Sequence, residues 1–150
     1  MLNRLQDVFA SLNRHNVRYV VIGGIAAVLH GVPRATFDLD ILIDPTRENA
    51  QSLIEALLAA GLGTAALTTA GEILANEITV FKDRVRIDVQ TSTPGLLFGD
   101  AWANHVSMDY EGQPFQVVSR ADLIRAKRAA GRPIDLEDVR LLESGDADAR

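Results

Sequence analysis

The sequence predicts an α+β fold, a mixed β-sheet with helices packed on one face. Short β-branched or alternating runs read as strands at 17–22, 39–43, 76–81, 84–90, 105–110 and 113–118. Apolar residues at helical spacing lie between the first of these runs and again close the chain. The order is helix, strand, helix, strand, helix, then mostly strands, then two helices, so the sheet reads as mixed.

Leu2, Leu5, Val8, Phe9 and Leu12 recur at helical spacing and predict an amphipathic helix over 2–14. Val17–Ile22 is short and β-branched, a strand. Gly24–His30 reads as a short helix ended by Gly31. After the strand Leu39–Ile43, Asp44 reads as an N-cap with Pro45 at the first helical position. The helix over 45–60 carries Leu53, Ile54, Leu57 and Leu58 on one face and stops at Gly61. Residues 61–75 are rich in Ala, Thr and Gly and receive no assignment.

Two alternating segments around Lys82 and Asp83 read as a hairpin, and Pro94–Asn104 holds a short helix around Trp102. Glu111-Gly112 is a two-residue hairpin turn between the last two strands. Ser119 and Asp122 form a capping-box-like start for a helix over 120–130. Gly131 and Pro133 separate it from a last helix over 135–143, with Asp135 as cap and Ile134 and Val139 as a hydrophobic staple. The expected organisation is one domain over 1–143 and a flexible tail over 144–150.

Composition narrows the function. Of 150 residues, 47% are hydrophobic and only 5% aromatic, so the core is aliphatic. The net charge of −5 argues against a whole-protein electrostatic trap for nucleic acid. There is no cysteine, which excludes disulfides and thiolate metal sites. The longest apolar run, Tyr19–Leu29, is too short to span a bilayer and holds a glycine pair, so no membrane role is expected. No signal peptide is apparent, which makes the expected location cytoplasmic.

The chemistry concentrates at Gly23-Gly24 and Asp38-Leu39-Asp40. Glycines at a strand exit let backbone amides approach phosphate oxygens. Side chains alternate along a strand, so Asp38 and Asp40 point to one face while Leu39, Ile41 and Ile43 point to the other. The strand around Asp88 repeats the pattern, with Val85, Ile87 and Val89 in the apolar row and Arg84, Arg86, Asp88 and Gln90 in the polar row. If these two strands are neighbours, three carboxylates converge on one face. Asp is disfavoured in strands, so three at aligned positions ask for a chemical reason. A divalent cation removes their mutual repulsion, and hard oxygen donors without sulfur point to Mg²⁺ or Mn²⁺ completed by substrate phosphates. Asp38, Asp40 and Asp88 are the expected metal ligands, and Asp88 could also accept the proton of an attacking hydroxyl.

These residues resemble the signature of the DNA polymerase β-like nucleotidyltransferase superfamily. The stretch from Gly23 to Asp40 is similar to its small bacterial and archaeal branch, which includes the AbiEii/AbiGii-type toxin nucleotidyltransferases. The C-terminal Lys127, followed by Arg132, Asp135 and Asp138, also resembles that group, so the resemblance spans residues 17–143. It implies metal-dependent transfer of a nucleoside monophosphate from an NTP, ATP among them, with release of pyrophosphate. It places Gly23 and Gly24 on the nucleotide phosphates, metal on Asp38, Asp40 and Asp88, and Lys127 on the triphosphate or the transition-state charge. A toxin–antitoxin or phage-defence role, with a cognate toxin or antitoxin as partner, follows from the resemblance alone.

Lys127 lies on the apolar stripe of its helix, where a charge needs a reason: either function or snorkelling near the helix C-terminus. Arg34 and Thr36 precede the Asp pair as nucleotide-binding candidates, and Arg34 could equally pair with a carboxylate of the Asp38, Asp40 and Asp88 cluster. His30 reads as a local hydrogen-bonding residue, Asp135 and Asp138 as structural, and Phe98, Trp102 and Phe115 as core. The expected activity is NMP transfer to a hydroxyl on a protein, an RNA 3′ end or a small molecule. The alternatives are a non-catalytic binding module or antitoxin that keeps the fold, and a metal-dependent phosphohydrolase.

Overall fold

A computed structural model describes residues 2–148. Six strands form one sheet: β1 (Tyr19–Ile22), β2 (Leu39–Ile43), β3 (Ile78–Lys82), β4 (Arg86–Gln90), β5 (Val106–Tyr110) and β6 (Gln113–Val117). Their order across the sheet is β3-β4-β2-β1-β6-β5. β1 runs antiparallel to β2 and parallel to β6, and β2 runs parallel to β4. β3–β4 and β5–β6 are antiparallel hairpins. The sheet is therefore mixed and the fold α+β, as the sequence predicts.

The helices are α1 (Gln6–Arg14), α2 (Gly23–Leu29), α3 (Arg47–Ala59), α4 (Ala70–Ala75), α5 (Phe98–Asn104), α6 (Arg120–Ala130) and α7 (Pro133–Asp148). Register explains where the core sits. Val21 pairs with Ile41, and Ile41 with Val89, so the apolar rows of three strands share one face. Phe9 of α1 lies on that core, stacked on Phe115 at 4.5 Å and Tyr19 at 6.3 Å between ring centroids. Ser11 of α1 donates to Ala56 O of α3 at 2.6 Å, which satisfies a hydroxyl between two packed helices. Each fully buried Leu, Ile or Phe contributes about 1.5–3 kcal/mol relative to exposure. Val20, Ile22 and Leu42 point the other way and are buried as well. α5 packs against β1, with the Arg18 guanidinium 5.2 Å from the Trp102 ring centroid.

Some boundaries depart from the sequence expectation. The first helix is a 3-10 turn, Leu2–Arg4, followed by α1. Asp44 is not the cap of α3: Thr46 accepts from Asn49 N at 3.2 Å, and Asp44 pairs with Arg18 at 3.6 Å. The cause is Asn49, whose buried amide donates to Arg18 O and Asp44 O, both at 3.0 Å, and holds the loop against β1. The unassigned stretch holds a 3-10 turn, Gly63–Leu67, and α4 capped by Thr69. Ser119 caps α6 as expected, accepting from Asp122 N at 3.2 Å. α7 starts at Pro133, two residues early, because Arg132 N donates to Asp135 Oδ2 at 3.2 Å and leaves proline at the first position. It runs on to Asp148 through most of the expected tail, whose last two residues lie outside the described ones. Among the described residues, no helix is long and apolar enough to cross a membrane.

Candidate active site

Gly23 begins α2 immediately after β1, with φ at +70°. That left-handed conformation suits glycine, and space demands it too: a Cβ here would run into the Asp40 carboxylate. At Gly24 a Cβ would meet Thr36 Oγ1 at 3.0 Å. The backbone of both residues lines a cavity of about 430 Å³ that also contains Asp40, Asp88, Lys127 and Arg132. Gly23→Ala is expected to destabilise the protein by about 1–3 kcal/mol, through the φ penalty and the displaced carboxylate. Urea denaturation measures it, and an unchanged midpoint would count against the close approach.

The parallel pairing of β2 and β4 places Asp40 directly across from Asp88. This is the adjacency on which convergence of the carboxylates depended. Asp40 is mostly buried, and its carboxyl is pushed up to about 7, first by burial, then by the charge and hydrogen bond of Asp88 and the charge of Asp38. Asp38 sits just before β2, half exposed, 3.8 Å from Arg86 Nε. Arg86 also grips Asp88, with Nε to Oδ1 at 2.9 Å and Nη2 to Oδ2 at 3.3 Å.

Among the described residues, no three His, Asp or Glu side chains form a ready-made metal cage. The pair Asp40–Asp88 nevertheless fits a hard divalent cation. Their carboxylates face each other across β2 and β4 and offer hard oxygen donors side by side in one cavity. Asp38 is turned toward Arg86 instead of completing a three-carboxylate cluster with the pair.

The opposite wall carries the cations. Lys127 is 9% exposed, and its Nζ lies 2.9 Å from Asp138 and 3.7 Å from Asp135. Its place on the apolar stripe is thus explained by two buried carboxylates, not by snorkelling into solvent. Asp138 also takes Arg34, at 2.7 Å, so Arg34 is turned onto α7 and lies outside the cavity wall. Asp135 clamps Arg132 through Nε at 2.7 Å and Nη2 at 3.1 Å. Burial pushes the Asp135 carboxyl up, but Arg132 and Lys127 hold it below the ordinary carboxylate range. His30 bonds Val118 O at 2.7 Å and, through burial, is held below its ordinary value.

The same arrangement of sheet and helices occurs in solved structures. A candidate nucleotidyltransferase from Thermotoga maritima matches with a TM-score of 0.59 at 19% identity, over 93% of this chain and 89% of that one. An antigenic nucleotidyltransferase-like protein from Paracoccidioides brasiliensis matches with a TM-score of 0.57 at 16% identity, over 93% and 73%. The chain has the nucleotidyltransferase fold. At these identities the likeness is one of fold. No protein-family model matches the chain, and no curated protein matches it significantly.

On this nucleotidyltransferase fold the structure brings Gly23, Gly24, Asp40, Asp88 and Lys127 to one cavity. Asp38 is not among the residues lining it: with Arg86 it lines a neighbouring cavity beside Arg4 and Phe37, while Thr36 lies behind Gly24 and Arg34 is held by Asp138. Sequence reading assigns Arg86 no role, although its position two residues before Asp88 puts both on one strand face. The apolar cavity wall from Ile78, Pro94 and Leu96 is not legible in the sequence, because it joins β3 to a separate loop.

Proposed function

We propose that this protein transfers a nucleoside monophosphate from an NTP to a hydroxyl acceptor, with release of pyrophosphate and dependence on Mg²⁺ or Mn²⁺. The observation that carries this reading is the pairing of Asp40 with Asp88 across β2 and β4, directly beside the Gly23 backbone. Asp38, Asp40 and Asp88 are the residues that would hold metal. When bound, the cation supplies charge neutralisation for the triphosphate and a lowered pKa for the attacking hydroxyl.

The chain's own residues supply the rest. Backbone amides at Gly23 and Gly24 receive phosphate oxygens, with Thr36 beside them. Lys127 and Arg132, held in place by Asp135 and Asp138, offset the charge that develops on the leaving pyrophosphate. Arg34 reaches a phosphate only by leaving Asp138, so its main part is to support that network. The acceptor hydroxyl oxygen bonds the α-phosphorus, the bond to pyrophosphate breaks, and the proton passes to Asp88. On this reading the protein acts in the manner of the AbiEii/AbiGii-like branch, in the cytoplasm with a cognate toxin or antitoxin, and modifies a protein, an RNA 3′ end or a small molecule.

The test is transfer of label from each α-labelled NTP, with Mg²⁺ or Mn²⁺, into cognate lysate. Transfer is expected with wild type and lost in Asp38→Ala/Asp40→Ala. Label transfer that survives the double substitution would sink the assignment, and tight capture of one partner protein with no transfer would favour the non-catalytic module.

A further inference from the structure

The carboxylate site already has a cation of its own. Arg86 precedes Asp88 by two residues on the same face of β4, and its fork spans both oxygens of that carboxylate, at 2.9 and 3.3 Å. Its Nε is also 3.8 Å from Asp38. One side chain thus grips two of the three carboxylates assigned to metal, while the third, Asp40, faces Asp88 from the neighbouring strand. Arg86 is 41% exposed, so it is no buried structural anchor.

We propose that Arg86 is the resident counter-cation of this site, and that a divalent cation binds by displacing its guanidinium from Asp88 and Asp38. The inference rests on reading Asp38, Asp40 and Asp88 as the metal-holding set. A guanidinium cannot relieve repulsion by losing its proton, so it has to move when a dication enters beside it. Its exposure leaves room for that movement, and a long side chain at the surface swings without disturbing the sheet. The arrangement solves a folding problem as well. Three carboxylates that would repel one another in the metal-free chain are offset by Arg86 until a cation arrives. It also sets the order of events: metal affinity is held low until nucleotide phosphates add their own ligands. Arg86 is a positioning residue in this scheme, acting through the carboxylates.

The test is Mn²⁺ binding without nucleotide, by calorimetry at pH 8 and low salt, on metal-stripped wild type, Arg86→Gln and Asp40→Asn. Arg86→Gln is expected to bind about tenfold or more tightly than wild type, because a competing charge is gone. Binding is expected to vanish in Asp40→Asn. Equal affinity in wild type and Arg86→Gln, with loss in Asp40→Asn, overturns the role of Arg86 and leaves the metal reading standing. No saturable binding in any of them, or binding that survives Asp40→Asn, overturns both. A second measurement needs no folded variant at Arg86: the Arg86 Nε–H resonance of wild-type protein is expected to shift on addition of Mg²⁺ as the guanidinium leaves Asp88. A resonance unmoved at saturating Mg²⁺ overturns the displacement.

Discussion

Asp40→Asn is expected to reduce NMP transfer by about a thousandfold or more, and also to make the metal-free protein more stable above neutral pH. Both effects come from one carboxyl. Burial and Asp88 raise it to about 7 from 3.8, so the folded state keeps a proton that the unfolded chain has already lost. That contribution is fully present below the ordinary carboxylate value and is lost as pH rises through about 7. Holding a proton across one pH unit is worth roughly 1.4 kcal/mol, so the wild type forfeits a few kcal/mol over that window. Asparagine has no charge to bury and does not follow this slope. The check is urea denaturation of both proteins at pH 5 and pH 8 with a chelator. The difference in stability between variant and wild type is expected to favour the variant by an extra ~2–4 kcal/mol at the higher pH. A difference independent of pH would show that Asp40 is solvated and ionised throughout.

Asp138→Ala carries the largest expected loss of stability. Asp138 is 1% exposed and sits between Arg34 at 2.7 Å and Lys127 at 2.9 Å, so it ties the loop before β2 and helix α6 to α7. Removing it leaves the Lys127 ammonium buried, with the 3.7 Å contact to Asp135 as its remaining ion pair among the described residues. Breaking a buried pair from one side costs about 3–5 kcal/mol, against a total of about 5–15 for a domain. Adding Lys127→Met to Asp138→Ala is expected to recover part of the loss, since it removes the orphaned charge. A loss below about 1 kcal/mol, or no recovery in the double variant, would mean that water reaches this network.

The legible parts of this protein are those whose information is local. Alternation along Leu39–Ile43 and Arg86–Gln90 separates carboxylates from the apolar rows, and the structure keeps that separation. The Glu111-Gly112 turn is equally local: both residues have positive φ, at 50° and 86°, as a two-residue hairpin needs. Ser119 caps α6 for the same reason, since its partner is three residues away. The misread positions have distant partners. Asp44 looks like a cap until Asn49 ties its loop to Arg18. Arg34 stays open between phosphate and carboxylate in the sequence, and its partner Asp138 comes from α7, 104 residues away.

What the sequence alone determined is which side chains share a strand face, where the turns fall and which helices are capped, because covalent geometry and nearest neighbours decide these. Only the tertiary structure decided that β2 and β4 are adjacent, which sets Asp40 against Asp88. It alone decided that Lys127 answers to Asp135 and Asp138, and that Arg86 occupies the carboxylates. The pairings of Asp40 with Asp88 and of Arg86 with Asp38 join segments far apart in the chain, and they are selected by burying the whole apolar face at once, a quantity that no local window of sequence contains.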